Sequence, residues 1–249
     1  MKRLLAGPRA VTEALRADPK RIVVLYVLND VERLREFDEE ARRAGVRCEA
    51  RSTAELDALA QGLKHQGVLA ITGEYPYAEL ETVLRDARPA PLIVALDQIS
   101  DPHNFGAIVR SCVAFGADAI ITLKDRAAPV TAVVVRASAG ATERARIARV
   151  TNLARTLDSL RARGMPVVGL DAEGSATLDA LPFDPAGRVL VIGSEGDGLR
   201  RLTRSLCDEL VRIEMPGGFE SLNASVAAGI ALYESARARA TLAPAIKAL

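Results

Sequence analysis

The feature that most constrains the fold is a series of short apolar runs from Leu92 onward, at 92–96, 118–122, 166–170, 188–193 and 210–214, alternating with stretches of helical spacing. This alternation predicts an α/β domain with a mostly parallel sheet, because parallel strands need crossover connections and are covered on both faces. Upstream, residues 8–17 read as a helix after Gly7-Pro8, and IVVLYVL at 22–28 reads as a buried strand. Residues 31–44 read as a second helix with Leu34, Phe37 and Ala41 at helical spacing, stopped by Gly45. Apolar runs at 46–50 and 67–72 flank another helical stretch, so residues 1–73 predict a small α/β unit. Pro76, Pro89 and Pro91 surround a polar segment at 74–91, read as a linker to a second domain spanning 92–249.

Charge narrows the partners. The 33 Lys and Arg nearly cancel the 32 Asp and Glu, leaving a net +1, so a nucleic-acid site must be a local patch. Two segments are locally basic: Lys2, Arg3, Arg9, Arg16, Lys20 and Arg21, and then Lys124, Arg126, Arg136, Arg144, Arg146 and Arg149. Either is a phosphate-binding surface or a solvated face. With 4% aromatics and no Trp, a stacking platform of the RRM kind is not expected. Cys48, Cys112 and Cys207 form no CxxC pair, and the two histidines, His65 and His103, have no metal-ligand spacing, so neither a disulfide framework nor a metal site is expected. No run of about 18 apolar residues occurs, and a cytoplasmic protein without a membrane span is expected.

The dinucleotide fingerprint GxGxxG and the phosphate loop GxxxxGK[ST] are both missing; Gly196-Asp197-Gly198 continues as Leu-Arg-Arg. Three other segments concentrate glycine and polar residues at strand ends, where open α/β sheets hold ligands. In DQISDPHNFGAIVRSCVAFGAD (97–118), Asp101-Pro102 reads as a helix start, and Asn104 and Arg110 stand out. Six residues of continuous helix separate those two by roughly 120°, so their convergence requires Asn104 in the first turn. In VLVIGSEGDGLRRLTRSLCDEL (189–210), Gly193, Glu195, Gly196 and Gly198 lie between a strand and a helix, where glycines permit close backbone approach and Glu195 also suits a helix dipole. In VRIEMPGGFESLNASVAAGIALYES (211–235), Ser221 and Asn223 precede a helix whose apolar face is read as Val226, Ile230 and Tyr233, with Ala227, Ala228 and Gly229 allowing tight packing. Capping is the alternative role for Ser221 and Asn223.

In this order, DPHNFGAIVRS, VIGSEGDGLRR and SLNASVAAGIAL resemble the three motifs of the SpoU/TrmH branch of the SPOUT RNA methyltransferases. KDR (124–126), RASAGA (136–141), RVTNLART (149–156), LTRSLCDEL (202–210) and HQG (65–67) are similar in particular to its bacterial 23S rRNA guanosine 2′-O-methyltransferase group. The resemblance implies a trefoil-knotted methyltransferase domain preceded by a small RNA-binding domain. It also implies a homodimer with its site near the subunit interface, S-adenosylmethionine as cofactor, and a ribose 2′-hydroxyl of RNA as acceptor. The family's cofactor contacts fall here on Gly193, Ile213 and Leu222, and its polar site residues on Asn104, Arg110, Glu195, Ser221 and Asn223. One departure is Glu214-Met215-Pro216, where the family pattern has proline ahead of methionine. The resemblance assigns Arg110 as general base, whereas an arginine's persistent charge equally suits a clamp on phosphate and developing alkoxide. A tRNA ribose methyltransferase and a non-catalytic RNA-binding protein are the alternative readings.

With both nucleotide-loop motifs missing and all three methyltransferase-like segments present, the chain is expected to bind S-adenosylmethionine and not NAD or ATP. Isothermal titration calorimetry with each ligand checks this; micromolar binding of NAD without binding of S-adenosylmethionine contradicts it.

Overall fold

The computed structural model describes residues 2–29 and 31–242, apart from the side chain of Arg33. In chain order its principal elements begin with β1 (Arg3–Ala6), α1 (Pro8–Ala17), β2 (Ile22–Leu28), α2 (Arg35–Arg43), β3 (Cys48–Arg51), α3 (Thr53–Ala60), β4 (Val68–Thr72) and α4 (Leu80–Arg85). There follow β5 (Leu92–Leu96), α5 (Pro102–Ala114), β6 (Ala119–Leu123), α6 (Ala132–Ala137), β7 (Ile147–Val150), α7 (Leu153–Ala162) and β8 (Val167–Leu170). The last are β9 (Ala176–Thr177), β10 (Arg188–Ile192), α8 (Arg201–Ser205), β11 (Glu209–Arg212) and α9 (Ala224–Ala240).

These elements form two compact units. One is the chain up to Pro76 together with Pro129–Arg144; the other is Tyr77–Ala128 and the chain from Ala145 onward. Contacts therefore group 129–144, which lies within the span read as the second domain, with the amino-terminal unit. Its helix α6 has Val134 and Val135 to bury, and Gly140 admits the close approach of α1: a Cβ there would lie 2.9 Å from Ala10 Cα. The segment read as a linker also differs. Ala78 pairs with Ala148 and donates to Ile147 O at 2.8 Å, and Val83 on α4 is buried in the second unit's core. Apolar Leu80, Val83 and Leu84 recur at helical spacing, which the surrounding prolines had masked.

The first unit has a four-stranded sheet ordered β1-β4-β2-β3, antiparallel except between β2 and β3. Leu56, Ala60 and Leu69 form a small core between α3 and this sheet. The capping box of Ser52 and Glu55 starts α3. Of the six basic residues near the start, Arg3 makes a bidentate contact with the buried Glu143 at 3.0 and 3.1 Å, and Arg21 lies 3.8 Å from the same carboxylate. Lys2, Arg9, Arg16 and Lys20 remain exposed.

The second unit has a seven-stranded sheet ordered β7-β6-β5-β10-β8-β11-β9, with every pairing parallel. The strand segments read from the sequence are all present; β1, β7 and β9 were not anticipated, being at most four residues long. β5, β6 and β10 are buried along their whole length, as strands covered on both faces must be. The chain runs outward from β5 to β6 and β7, then returns on the other side, where β10 inserts between β5 and β8.

Helix α9 packs on α5, and Asp118 anchors its far end. The Asp118 carboxylate accepts from Arg88 Nε at 2.7 Å, Arg239 Nη1 at 2.9 Å and the Leu92 amide at 2.9 Å, tying the start of β5 to the last turns of α9. Removing a buried carboxylate leaves its partners unpaired, at a cost of about 3 kcal/mol. Asp118→Ala is therefore expected to lower stability by that order, measured by urea unfolding, and a change below about 0.5 kcal/mol would show that Arg88 and Arg239 hold α9 without it.

Candidate active site

The polar segments meet beyond the carboxyl ends of the central strands. Asp101 caps α5, accepting from the amides of His103 at 3.3 Å and Asn104 at 2.8 Å, with Pro102 at the first helical position. Asn104 thus stands in the first turn, on the same continuous helix as Arg110. Its Nδ2 donates to Glu195 Oε2 at 2.9 Å, while Asn223 Nδ2 lies 3.0 Å from both Asn104 Oδ1 and Glu195 Oε2. Residues 91 and 119 apart in the chain therefore form one triangle of side chains.

Asn223 has a second role in the same position. Its Oδ1 caps α9, accepting from the amides of Ser225 at 2.9 Å and Val226 at 3.4 Å, so one side chain both starts the helix and joins the triangle. Ser221 is exposed and borders the cleft beside the triangle without joining it. Arg110 is not brought in. It lies further along the same continuous helix as Asn104, exposed, with no hydrogen-bond or ion-pair partner among the described residues. Glu195 bonds Asn104 and Asn223 and not Arg110.

A cleft of about 400 Å³ adjoins the triangle at the ends of β8, β10 and β11. Gly193, Ile213 and Leu222, the three expected cofactor contacts, all line it. The loop after β10 folds back on itself through reciprocal hydrogen bonds of 3.1 Å between Ser194 and Gly198. That fold admits no side chain at 193, where a Cβ would meet the Gly198 carbonyl and lie 2.6 Å from Leu199 N. Leu170, Ile213 and Leu222 supply apolar wall, and the rim carries Asp171, Glu173, Glu195 and Asp197 against one cation, Arg204. Arg204 Nη2 bonds Glu173 at 2.9 Å, which with Asp171 holds its guanidinium above its ordinary pKa. Apolar walls under an acidic rim fit a flat base joined to a cationic centre, as in a sulfonium nucleoside.

Asp171, Glu173 and Arg204 were not singled out from the sequence. The available signal was an acidic pair directly after a buried strand, at the end of the sheet where ligands sit. In the departing segment, Met215 lines the cleft, and its carbonyl accepts from Gly218 N at 3.0 Å to close a turn. The cysteines are free. Burial pushes Cys207 up to about 12 and Cys48 up to about 11, so neither offers a thiolate. Among the described residues no group of three or more His, Cys, Asp or Glu is placed to hold a metal ion, and no helix is long and apolar enough to cross a membrane.

A parallel sheet with a glycine-lined, acid-rimmed cleft at its carboxyl end, beside a polar triangle, defines a small-molecule-dependent enzyme of the α/β class. Residues 91–233 match the SpoU rRNA Methylase family, and residues 4–78 match the RNA 2′-O ribose methyltransferase substrate binding family. The chain belongs to the SpoU rRNA methylase family and is an S-adenosylmethionine-dependent RNA 2′-O-ribose methyltransferase. It is 43% identical over 244 residues to the 23S rRNA (guanosine-2′-O-)-methyltransferase RlmB of Xanthomonas campestris, covering 94% of this chain and 96% of that one. It is 46% identical over 238 residues to an uncharacterized tRNA/rRNA methyltransferase of Mycobacterium avium, covering 94% and 76%. Among solved structures it is similar to the SpoU methyltransferase AviRb of Streptomyces viridochromogenes in complex with AdoMet, with a TM-score of 0.79, 30% identity, and 96% and 91% coverage.

The double role of Asn223 can be separated experimentally. Asn223→Ala loses the cap and is expected to cost about 1 kcal/mol in urea unfolding, along with most methyl transfer to RNA. Asn223→Asp keeps a capping oxygen but replaces the amide that donates to Glu195 with a carboxylate. It should be more stable than the alanine variant and remain as inactive; recovery of activity together with stability would reduce Asn223 to a cap.

Proposed function

We propose that this chain methylates the ribose 2′-hydroxyl of a guanosine in 23S rRNA, acting in the bacterial cytoplasm as a homodimer with a trefoil-knotted catalytic domain. The observation that carries the reading is the meeting of Asn104, Glu195 and Asn223 at the rim of the cleft lined by Gly193, Ile213 and Leu222. The near full-length likeness to the Xanthomonas protein supports 23S rRNA as the substrate. A tRNA substrate is the second reading, favoured only by the tRNA/rRNA wording attached to the mycobacterial relatives.

Bound in the cleft, S-adenosylmethionine supplies an electrophilic methyl on a sulfonium. The residues around it position the acceptor. Glu195 takes one hydrogen bond from each asparagine amide; Asn223 commits its second amide hydrogen to Asn104 Oδ1 and its own Oδ1 to the α9 cap, so Asn104 is the member that keeps a donor hydrogen and a lone pair for the ribose. Ser221 borders the same edge and offers a hydroxyl to it. A guanidinium is a planar, five-donor group without an acceptor, so the role assigned to Arg110 is to clamp a backbone phosphate and stabilise the developing alkoxide rather than to take the proton.

Two observations support the homodimer. Arg110 stands exposed and apart from the triangle, and Val226, Ile230 and Tyr233 form a stripe on α9 that is 50, 37 and 53% exposed. The inward face of α9 is Ala224, Ala228, Ala231, Leu232 and Ser235, so the apolar face read at Val226, Ile230 and Tyr233 is an exposed one. A second copy seated on the stripe would cover it and bring its own elements to Arg110.

Mapping ribose methylation in rRNA and tRNA exposed to the purified protein tests the substrate; a modified tRNA nucleotide with unmodified 23S rRNA overturns it. Arg110→Ala is expected to slow single-turnover methylation by a factor on the order of 100 to 10,000 at saturating cofactor, while stability changes by under about 0.5 kcal/mol. Arg110→Lys should rescue poorly, because lysine keeps the charge but loses the planar fork. A near-normal rate for the alanine variant would remove Arg110 from the mechanism.

A further inference from the structure

One residue outside the expected set holds both ends of the loop that lines the cleft. Asp97 follows β5 and is fully buried. Its amide donates to Ile192 O at 2.8 Å, the last residue of β10 before the loop. Its carboxylate accepts from the Arg200 amide at 3.0 Å through Oδ2 and from Arg200 Nε at 2.6 Å through Oδ1, at the first residue after the loop. All seven residues between, Gly193 to Leu199, line the cleft. A buried carboxylate is costly to keep unless it is paired and hydrogen-bonded, so this one is retained where both conditions are met by the loop's own terminus.

We propose that Asp97 and Arg200 form a latch that sets the 193–199 loop in its cofactor-binding shape, making Asp97 a positioning residue for S-adenosylmethionine. The loop's only other described backbone tie across itself is the Ser194–Gly198 pair, and its two remaining glycines, Gly196 and Gly198, have φ of +88° and +63°. A glycine-rich loop with so few internal ties has many conformations to lose, and a charge-assisted clamp at its ends removes most of them before the cofactor arrives. Asp97 also precedes the segment leading to α5, so the same residue links the cleft loop to the helix that carries Asn104 and Arg110.

The inference rests on the cleft being the cofactor site, and the test separates the two. Affinity for S-adenosylmethionine is measured by calorimetry on the full chain for wild type, Asp97→Asn, Arg200→Gln, Arg200→Lys and Gly193→Ala, with urea unfolding alongside. Arg200 is partly exposed, so its variants keep the test open if Asp97→Asn fails to fold. The latch predicts a rise in Kd of roughly ten- to a hundredfold for Arg200→Gln and Asp97→Asn, the loss of a charged hydrogen bond. It also predicts a double variant no worse than the weaker single one, partial recovery with Arg200→Lys, and single-turnover rates at saturating cofactor that fall far less than affinity. If Gly193→Ala abolishes binding while the Asp97 and Arg200 variants bind normally, the latch is wrong and the cleft stands. If Gly193→Ala also binds normally, the cleft assignment falls and the latch with it.

Discussion

β10 lies between β5 and β8 and hydrogen-bonds to both, and the site exists because of that insertion. The strand arrives late in the chain yet occupies the middle of the sheet, so the loop leaving its carboxyl end emerges between the ends of two strands already in place. On one side it meets Asp97 at the end of β5, and on the other Asp171 at the end of β8. An edge position would have left the same loop open to water on one side. The ladder registers, Ile192 against Leu96 and Val191 against Gly169, fix which residues stand at the mouth.

Small residues make this closeness possible. A Cβ at Gly169 would lie 2.7 Å from Cys207 Sγ and one at Gly174 would lie 2.7 Å from Arg212 N, so both positions are tolerable only without a side chain. On α9, Gly229 lies beside α5, where a Cβ would come 3.7 Å from Ser111 Oγ, and the two helix starts stand near enough for Asn104 and Asn223 to share Glu195. The triangle thus depends on how closely the two helices approach as well as on the polar residues themselves.

Charge is arranged locally rather than globally. The net charge of +1 conceals an acidic rim around the cleft and exposed cations elsewhere, with Lys124, Arg126 and Arg146 on the catalytic unit and Lys2, Arg9, Arg16 and Lys20 on the amino-terminal one. Some cations that look available in the sequence are already engaged. Arg3 and Arg21 neutralise Glu143, and Arg149 lies 4.5 Å over the Tyr77 ring. Density of basic residues along the chain therefore overstates the surface open to phosphate.

The amino-acid sequence by itself determined the α/β class, the five strand segments of the second unit and the glycine-polar loops between them, because period and residue type act over a few neighbours. Motif order was enough to indicate a methyltransferase and the residues around its cleft. What it could not convey was long-range: that 129–144 joins the amino-terminal unit, that α4 belongs to the core, and that the apolar stripe of Val226, Ile230 and Tyr233 on α9 is left exposed. Asp97 is the clearest case. In the chain it is one carboxylate after an apolar run, with its partners 95 and 103 residues away. Only the insertion of β10 beside β5 brings Ile192 and Arg200 to it, since hydrogen bonds between distant residues are decided by which strands become neighbours, and local pattern carries no information about that choice.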